Sequence, residues 1–248
     1  MASAPGMSVP EPTGPVDAVL FDLYGTLVPE YSKADFYASV AAMAEAVGAE
    51  VDAFRATWDA TARARQTGGF ATVEENVRAV CGALGLAPTD LAIARGLEPR
   101  AAMYHRWFHP RVGAVEVLST LRTRGYPIAL VSMCAPDTPA LWQTTELAAL
   151  VDAEVFSSET GLRKPEPAIY LEAASRLGVA PDRCVYIGDG AYGELTGAAA
   201  VGMHPYLLVD PDLDHAAMLT PERDAWGGAT IADLRDVLAF LPALRVRP

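Results

Sequence analysis

The sequence predicts an α/β protein built on a parallel, doubly wound sheet, with a helical module inserted near its start. Three observations predict it. Short, continuous apolar runs alternate with segments of helical periodicity through the second half of the chain, the pattern of strands covered on both faces by crossover helices. The first such run, Ala18-Val19-Leu20-Phe21, closes on Asp22 and then Gly25-Thr26, as a buried strand does where it opens into a loop. From about residue 33 to residue 108 the periodicity is helical and no convincing strand interrupts it.

Within that helical stretch Phe36, Val40, Met43 and Val47 share one face, and Gly48 offers a stop. Thr72 and Glu75 stand at capping-box spacing ahead of the stripe Val77, Val80 and Leu84, which marks a helix start. After Pro110 the alternation resumes with a helix over 115–122, a strand over 128–131 and a helix over 141–150. The strand Ala153–Phe156, a helix over 169–177 and strands over 184–187 and 206–209 follow. The expected organisation is a tail over 1–15, a Rossmann-like core over 16–32 and 109–248, and an α-helical cap over 33–108.

Composition narrows the function. Of 248 residues, 51% are hydrophobic and 20% charged, enough to bury one core plus an inserted module. The formal net charge of -12 argues against nucleic acid, whose binding draws on clustered Lys and Arg, and favours a small-molecule substrate. Cys81, Cys134 and Cys184 are far apart and form no Cys-x-x-Cys pair, which suggests neither disulfides nor a zinc site and points to a reducing cytoplasm. The Pro-, Ala- and Gly-rich start lacks the basic and apolar parts of a secretion signal and reads as a flexible tail. Runs such as Leu147 to Val151 are far shorter than the roughly 20 residues of a membrane helix.

Ligands of a doubly wound sheet bind at the carboxyl ends of its strands, which here present Asp22, Ser132, Ser157 and Asp189. Four motifs stand at or after these ends in order: Asp22-Leu23-Tyr24-Gly25-Thr26-Leu27, Ser132, Gly161-Leu162-Arg163-Lys164-Pro165-Glu166-Pro167, and Val185-Tyr186-Ile187-Gly188-Asp189 with Glu194 beyond. Each is weak alone: an aspartate or serine after a strand is commonly a turn residue, and a lysine before proline is commonly solvated. Together, from about residue 18 to residue 209, they resemble the haloacid-dehalogenase-like hydrolases.

That resemblance implies a mechanism in which the Asp22 carboxylate attacks phosphorus or carbon and water cleaves the aspartyl intermediate. It places Tyr24 and the Gly-Thr turn at Thr26 beside the nucleophile, Ser132 on an oxygen of the transferring group, and Lys164 as electrostatic support. It also implies Mg2+ held by the Asp22 carboxylate, the Tyr24 backbone carbonyl and the Asp189 carboxylate, with Glu194 acting directly or through water.

The chain departs from the phosphatase pattern at Tyr24, where phosphatases of this kind carry the aspartate that protonates the leaving group. The 2-haloacid dehalogenase branch has tyrosine there, because a halide leaves without a proton. Against that branch, this chain keeps the acid Asp189, has Met133 where asparagine is usual, and reads Trp58-Asp59 where a halide-binding arginine is expected. The balance favours a Mg2+-dependent phosphatase whose substrate has a good leaving group or its own proton source. General acid catalysis is worth about 10²–10⁴-fold, so its loss need not abolish turnover.

Other patterns remain beside this one. Gly188-x-Gly190-x-x-Gly193 with Asp210 imitates a dinucleotide fingerprint, but it lies too late for a second nucleotide-binding half and puts Asp189 where pyrophosphate would sit. A non-catalytic binding protein is a third possibility, since fold does not guarantee chemistry. His105 and His109 have the spacing of a helical metal pair without a supporting acid motif, and Cys134 has no partner base. Arg63, Arg65 and Arg95 either hold an anionic substrate from the cap or form a solvated face. Substrate identity and oligomeric state are left open by the sequence.

Overall fold

In the computed structural model, which describes residues 11–209 and 221–244, the chain enters its sheet through β1 (Ala18–Phe21), all four residues buried. Val19 and Phe21 point into one apolar cluster and Ala18 and Leu20 into another, the alternation of a strand covered on both faces.

Six helices follow before the next strand, and the first five fall within the helical stretch: α1 (Lys33–Val47), α2 (Val51–Ala60), α3 (Ala62–Gln66), α4 (Val73–Ala83) and α5 (Asp90–Trp107). The Ser32 side chain caps α1 by accepting from the Asp35 amide, and Gly48 ends it in the left-handed region. Thr72 caps α4 by accepting from the Glu75 amide at 3.2 Å. The Glu75 carboxylate reaches back to the Ala71 amide at 2.8 Å, one residue beyond the N-cap amide of the regular capping box. Of these, α1, α2, α4 and α5 share an apolar cluster that includes Val40, Met43, Phe54, Trp58, Val77 and Ile93.

The α/β alternation then runs through α6 (Ala114–Thr123), β2 (Ile128–Ser132), α7 (Thr138–Trp142), β3 (Ala153–Phe156), α8 (Ser157–Thr160), α9 (Pro167–Leu177), β4 (Cys184–Gly188), α10 (Glu194–Ala200) and β5 (His204–Leu208). It finishes with α11 (Pro221–Ala225), β6 (Ala229–Ile231) and α12 (Val237–Phe240). All pairings are parallel, in the order β3-β2-β1-β4-β5-β6. Phe21 lies level with Leu130 of β2 and Ile187 of β4, so the residues that follow these three positions meet at one carboxyl edge.

Two expectations need correction. The helix expected over 141–150 is a five-residue helix followed by a separate single turn at Ala148–Leu150. The Thr144 and Thr145 hydroxyls donate back to the Leu141 and Trp142 carbonyls, a local alternative that competes with helix continuation. The short edge strand β6 is also absent from the pattern read in sequence. Most of the expected tail, residues 1–10, and Asp210 lie outside the described residues.

Candidate active site

The site begins where β1 ends. The Asp22 amide donates to the Ile187 carbonyl at 2.9 Å, extending the ladder one residue past the strand. The Leu23 carbonyl then accepts from the amides of Thr26, Leu27 and Val28, which curls the loop tightly around Gly25, at φ 75°. A side chain at Gly25 would collide with the Asp189 carboxylate, so glycine supplies both the left-handed turn and the space for that acid. Thr26 donates its hydroxyl to Asp22 Oδ2 at 3.3 Å and so orients the carboxylate.

Tyr24 is turned to another task. Its hydroxyl shares a 3.0 Å hydrogen bond with Thr138 Oγ1, and its ring meets Tyr31 and Phe108 edge-on at 5.5 and 5.8 Å. Burial pushes its pKa well above that of an ordinary phenol, which keeps the proton on the hydroxyl at neutral pH.

Lys164 is buried, and its ammonium is shared between Asp22 Oδ1 and Glu194 Oε2, the latter at 2.6 Å. Burial works against its charge, but the two carboxylates more than offset this and raise its pKa. Glu194 also accepts from the Tyr186 hydroxyl at 2.7 Å and from the Gly190 amide at 3.0 Å. A side chain at Gly188 would overlap the Glu194 carboxylate. Asp189 is buried and accepts from the Ala191 amide at 2.9 Å. Ser132, at the end of β2, is buried, with its hydroxyl beside the Cys134 thiol.

Carboxylate oxygens of Asp22, Asp189 and Glu194 all lie within 4.8 Å of one another, with one lysine among them. Burial pushes the Asp22 pKa up to about 7, reinforced by Glu194 and opposed by Lys164. Burial, then Glu194, Asp22 and Glu30, hold Asp189 well above the usual carboxylate range. Negative charge is therefore in excess, on hard oxygen donors in a dry setting, and a small divalent cation fits that donor set.

A haloacid dehalogenase-like hydrolase model matches residues 16–202 of the chain. The chain belongs to this hydrolase family. It is 49% identical over 49 residues to glyceraldehyde 3-phosphate phosphatase of Methanopyrus kandleri, a local match covering 20% of this chain and 21% of that protein. Ribulose-1,5-bisphosphate 5-phosphatase of Halopiger xanaduensis is 31% identical over 227 residues, covering 84% of this chain and 90% of that one. (S)-2-haloacid dehalogenase 4A of Burkholderia cepacia is 25% identical over 197 residues, covering 75% and 80%. The crystal structure of a HAD phosphatase from Thermococcus onnurineus shares the fold, with a TM-score of 0.64 at 21% identity over 93% of this chain and all of that one.

Elsewhere in this hydrolase, the glycine pattern at Gly188, Gly190 and Gly193 is occupied by its own acids. Glu194 already takes the Gly190 amide, and α10 behind it has seven residues, so no open cradle for pyrophosphate is formed. His105 and His109 join no metal-binding group; among the described residues that group is the acidic trio. Cys134 is buried against Ser158, and burial raises its pKa, which makes it a poor nucleophile. Met133 offers its sulfur to the Lys164 amide at 3.4 Å.

Four features escape the sequence pattern or depart from what it suggests. Tyr186 sits in an apolar run and reads as core, yet it holds Glu194. Arg65, which the sequence offered as a substrate holder or part of a solvated face, is not on a solvated face: it is buried, stacks 4.0 Å over the Trp58 ring and donates to Asn76 Oδ1 at 2.7 Å. Arg100 of α5 pairs with Asp137 at 2.7 Å and donates to the Tyr104 hydroxyl at 2.8 Å, tying the insert to the loop after β2. Next to that pair a cavity of about 320 Å³ opens between Val73, Leu97 and Tyr104 of the insert and Pro136, Asp137 and Leu141 of the core. Glu30 is the fourth feature: its Oε1 is buried without a hydrogen-bond partner. In sequence it is a single acid in a loop.

Proposed function

We propose that this hydrolase is a Mg2+-dependent phosphatase that acts on a small phosphorylated metabolite through an aspartyl-phosphate on Asp22. The observation that carries the proposal is the placement of Asp189 within 4.8 Å of both Asp22 and Glu194: a displacement of halide has no use for such a concentration of negative charge. In this reading Asp22, the Tyr24 backbone carbonyl and Asp189 hold the cation. Glu194, already engaged by Lys164, Tyr186 and Gly190, acts through water. Bound Mg2+ would offset the negative charge of the phosphoryl group and of the carboxylates.

The chain's own groups then divide the work. Asp22, oriented by Thr26, attacks phosphorus as the bond to the ester oxygen breaks; water next attacks the aspartyl-phosphate, releasing inorganic phosphate and restoring the carboxylate. Lys164 remains charged throughout and stabilises the attacking oxygen. The Ser132 hydroxyl, at the carboxyl end of β2, would donate to a phosphoryl oxygen. The helices within 33–108 serve as the cap over the core of 16–32 and 109–248, and the three buried free cysteines suit a reducing cytoplasm.

Tyr24 and the dehalogenase relative favour a second reading, hydrolysis of a 2-haloacid through an aspartyl ester. A panel of phosphorylated metabolites and 2-haloacids, each with Mg2+ and with chelator, separates the two. Phosphate release that requires Mg2+ is the expected result, and chelator-resistant halide release would overturn it.

A further inference from the structure

Hydrolysis of an unactivated phosphate ester requires a proton for the departing oxygen. Tyr24 does not deliver it, because its hydroxyl is bonded to Thr138 and its ring is packed between Tyr31 and Phe108. Lys164 is committed to Asp22 and Glu194. One acid near the nucleophile remains unassigned.

That acid is Glu30, on the loop that leads from β1 into α1. Among the described residues, its Oε1 is the one buried carboxylate oxygen that no protein group donates to. The charge of Asp22 disfavours ionisation of the Glu30 carboxyl, and its own charge in turn raises the pKa of Asp189 and of Tyr192. Its neighbour Tyr31, whose amide bonds the carboxyl, meets the rings of Tyr24 and Tyr104 edge-on at 5.5 and 6.0 Å. The loop is thereby fixed in the aromatic seam between core and insert. A carboxyl with one oxygen buried and unpartnered and acids for neighbours is costly as an anion; burial, then Asp22, push its pKa up to about 8.

We propose that Glu30 is the general acid and base of this site, taking the part that Tyr24 cannot play. The inference rests on the phosphatase reading. As Asp22 bonds to phosphorus and the ester P–O bond breaks, the Glu30 carboxyl gives its proton to the departing oxygen. The resulting carboxylate then accepts a proton from the water that attacks the aspartyl-phosphate, so the turnover ends with Glu30 protonated and inorganic phosphate free.

The test compares wild type with Glu30→Gln on two substrates, an alkyl phosphate hydrolysed by the wild type and p-nitrophenyl phosphate, whose leaving group needs no proton. The kcat for the alkyl phosphate should fall by about 10²-fold or more, and that for p-nitrophenyl phosphate by less than about tenfold. The Mg2+ concentration for half-activation should be preserved, and the melting temperature should not fall. Equal losses on both substrates, or no loss, would overturn the proposal, and so would a raised Mg2+ requirement, which would make Glu30 a metal ligand. Should the glutamine variant fail to fold, Glu30→Asp must still lose more on the alkyl phosphate than on the nitrophenyl ester. A wild type that releases halide but no phosphate removes the phosphatase reading itself, whereas an active phosphatase indifferent to Glu30→Gln removes only the role of Glu30.

Discussion

Lys164 and Glu194 meet through a 2.6 Å ion pair in which their side chains are 1% and 0% exposed. The same ammonium holds Asp22, so a single cation restrains two buried acids. Removing one partner of such a pair costs roughly 3–5 kcal/mol, because a charge is left buried and uncompensated. Lys164→Met should therefore lower the metal-free melting temperature by about 10 °C for a chain of this size. Thermal unfolding monitored by circular dichroism checks this, and an unchanged midpoint would show that the pair contributes nothing.

Stability should also depend on pH in an unusual direction. Asp22 and Glu30 have folded pKa values raised to about 7 and about 8 from ordinary values of 3.8 and 4.5. Between these limits the folded state binds more protons than the unfolded one, so stability falls as pH rises. In chelator, unfolding free energy should decline by a few kcal/mol from pH 4 to pH 8. Excess Mg2+ should flatten the slope; a metal-free protein that becomes more stable over this range would contradict the raised values.

Asp189→Asn separates stability from function. Neutralising this acid relieves repulsion with Asp22, Glu194 and Glu30, so the metal-free variant should melt higher than wild type. Its Mg2+ requirement should rise by about tenfold or more, as expected when a carboxylate is lost from a small hard-ion site. Calorimetry of Mg2+ binding beside a melting curve reads both effects, and a variant that melts lower with unaltered affinity would refute the assignment.

The apolar runs that become β1 to β5 are legible because a strand buried on both faces must be apolar almost throughout. β6 is not legible, since three residues, Ala229, Thr230 and Ile231, carry too little pattern. The residues that end β1, β2 and β4 announce themselves by their place after apolar runs. Tyr186 and Glu30 do not: the role of Tyr186 depends on which face of β4 its ring occupies, and that of Glu30 on how a loop curls. Arg100 pairs with Asp137 across the seam between the insert and the core, and no periodicity along one chain encodes such a long-range match.

Gly188→Ala tests the closeness of that packing. The added methyl would occupy the position of the Glu194 carboxylate, and overpacking of a buried site typically costs about 1–3 kcal/mol. Turnover should fall with stability, since Lys164 depends on Glu194 for its position. Denaturant unfolding together with phosphate release checks the pair of effects; full activity in a stable variant would show that Glu194 can move freely.

The apolar cluster of the insert, which includes Val40, Met43, Phe54, Trp58, Val77 and Ile93, contains no residue of the sheet. Close packing transmits a change in side-chain volume only where atoms touch. A methylene gained or lost among these residues is therefore absorbed first by the helices around it. Such a chain can accumulate substitutions that reshape the mouth of its pocket while its reaction apparatus stays fixed, and new substrates become reachable by drift in one part alone.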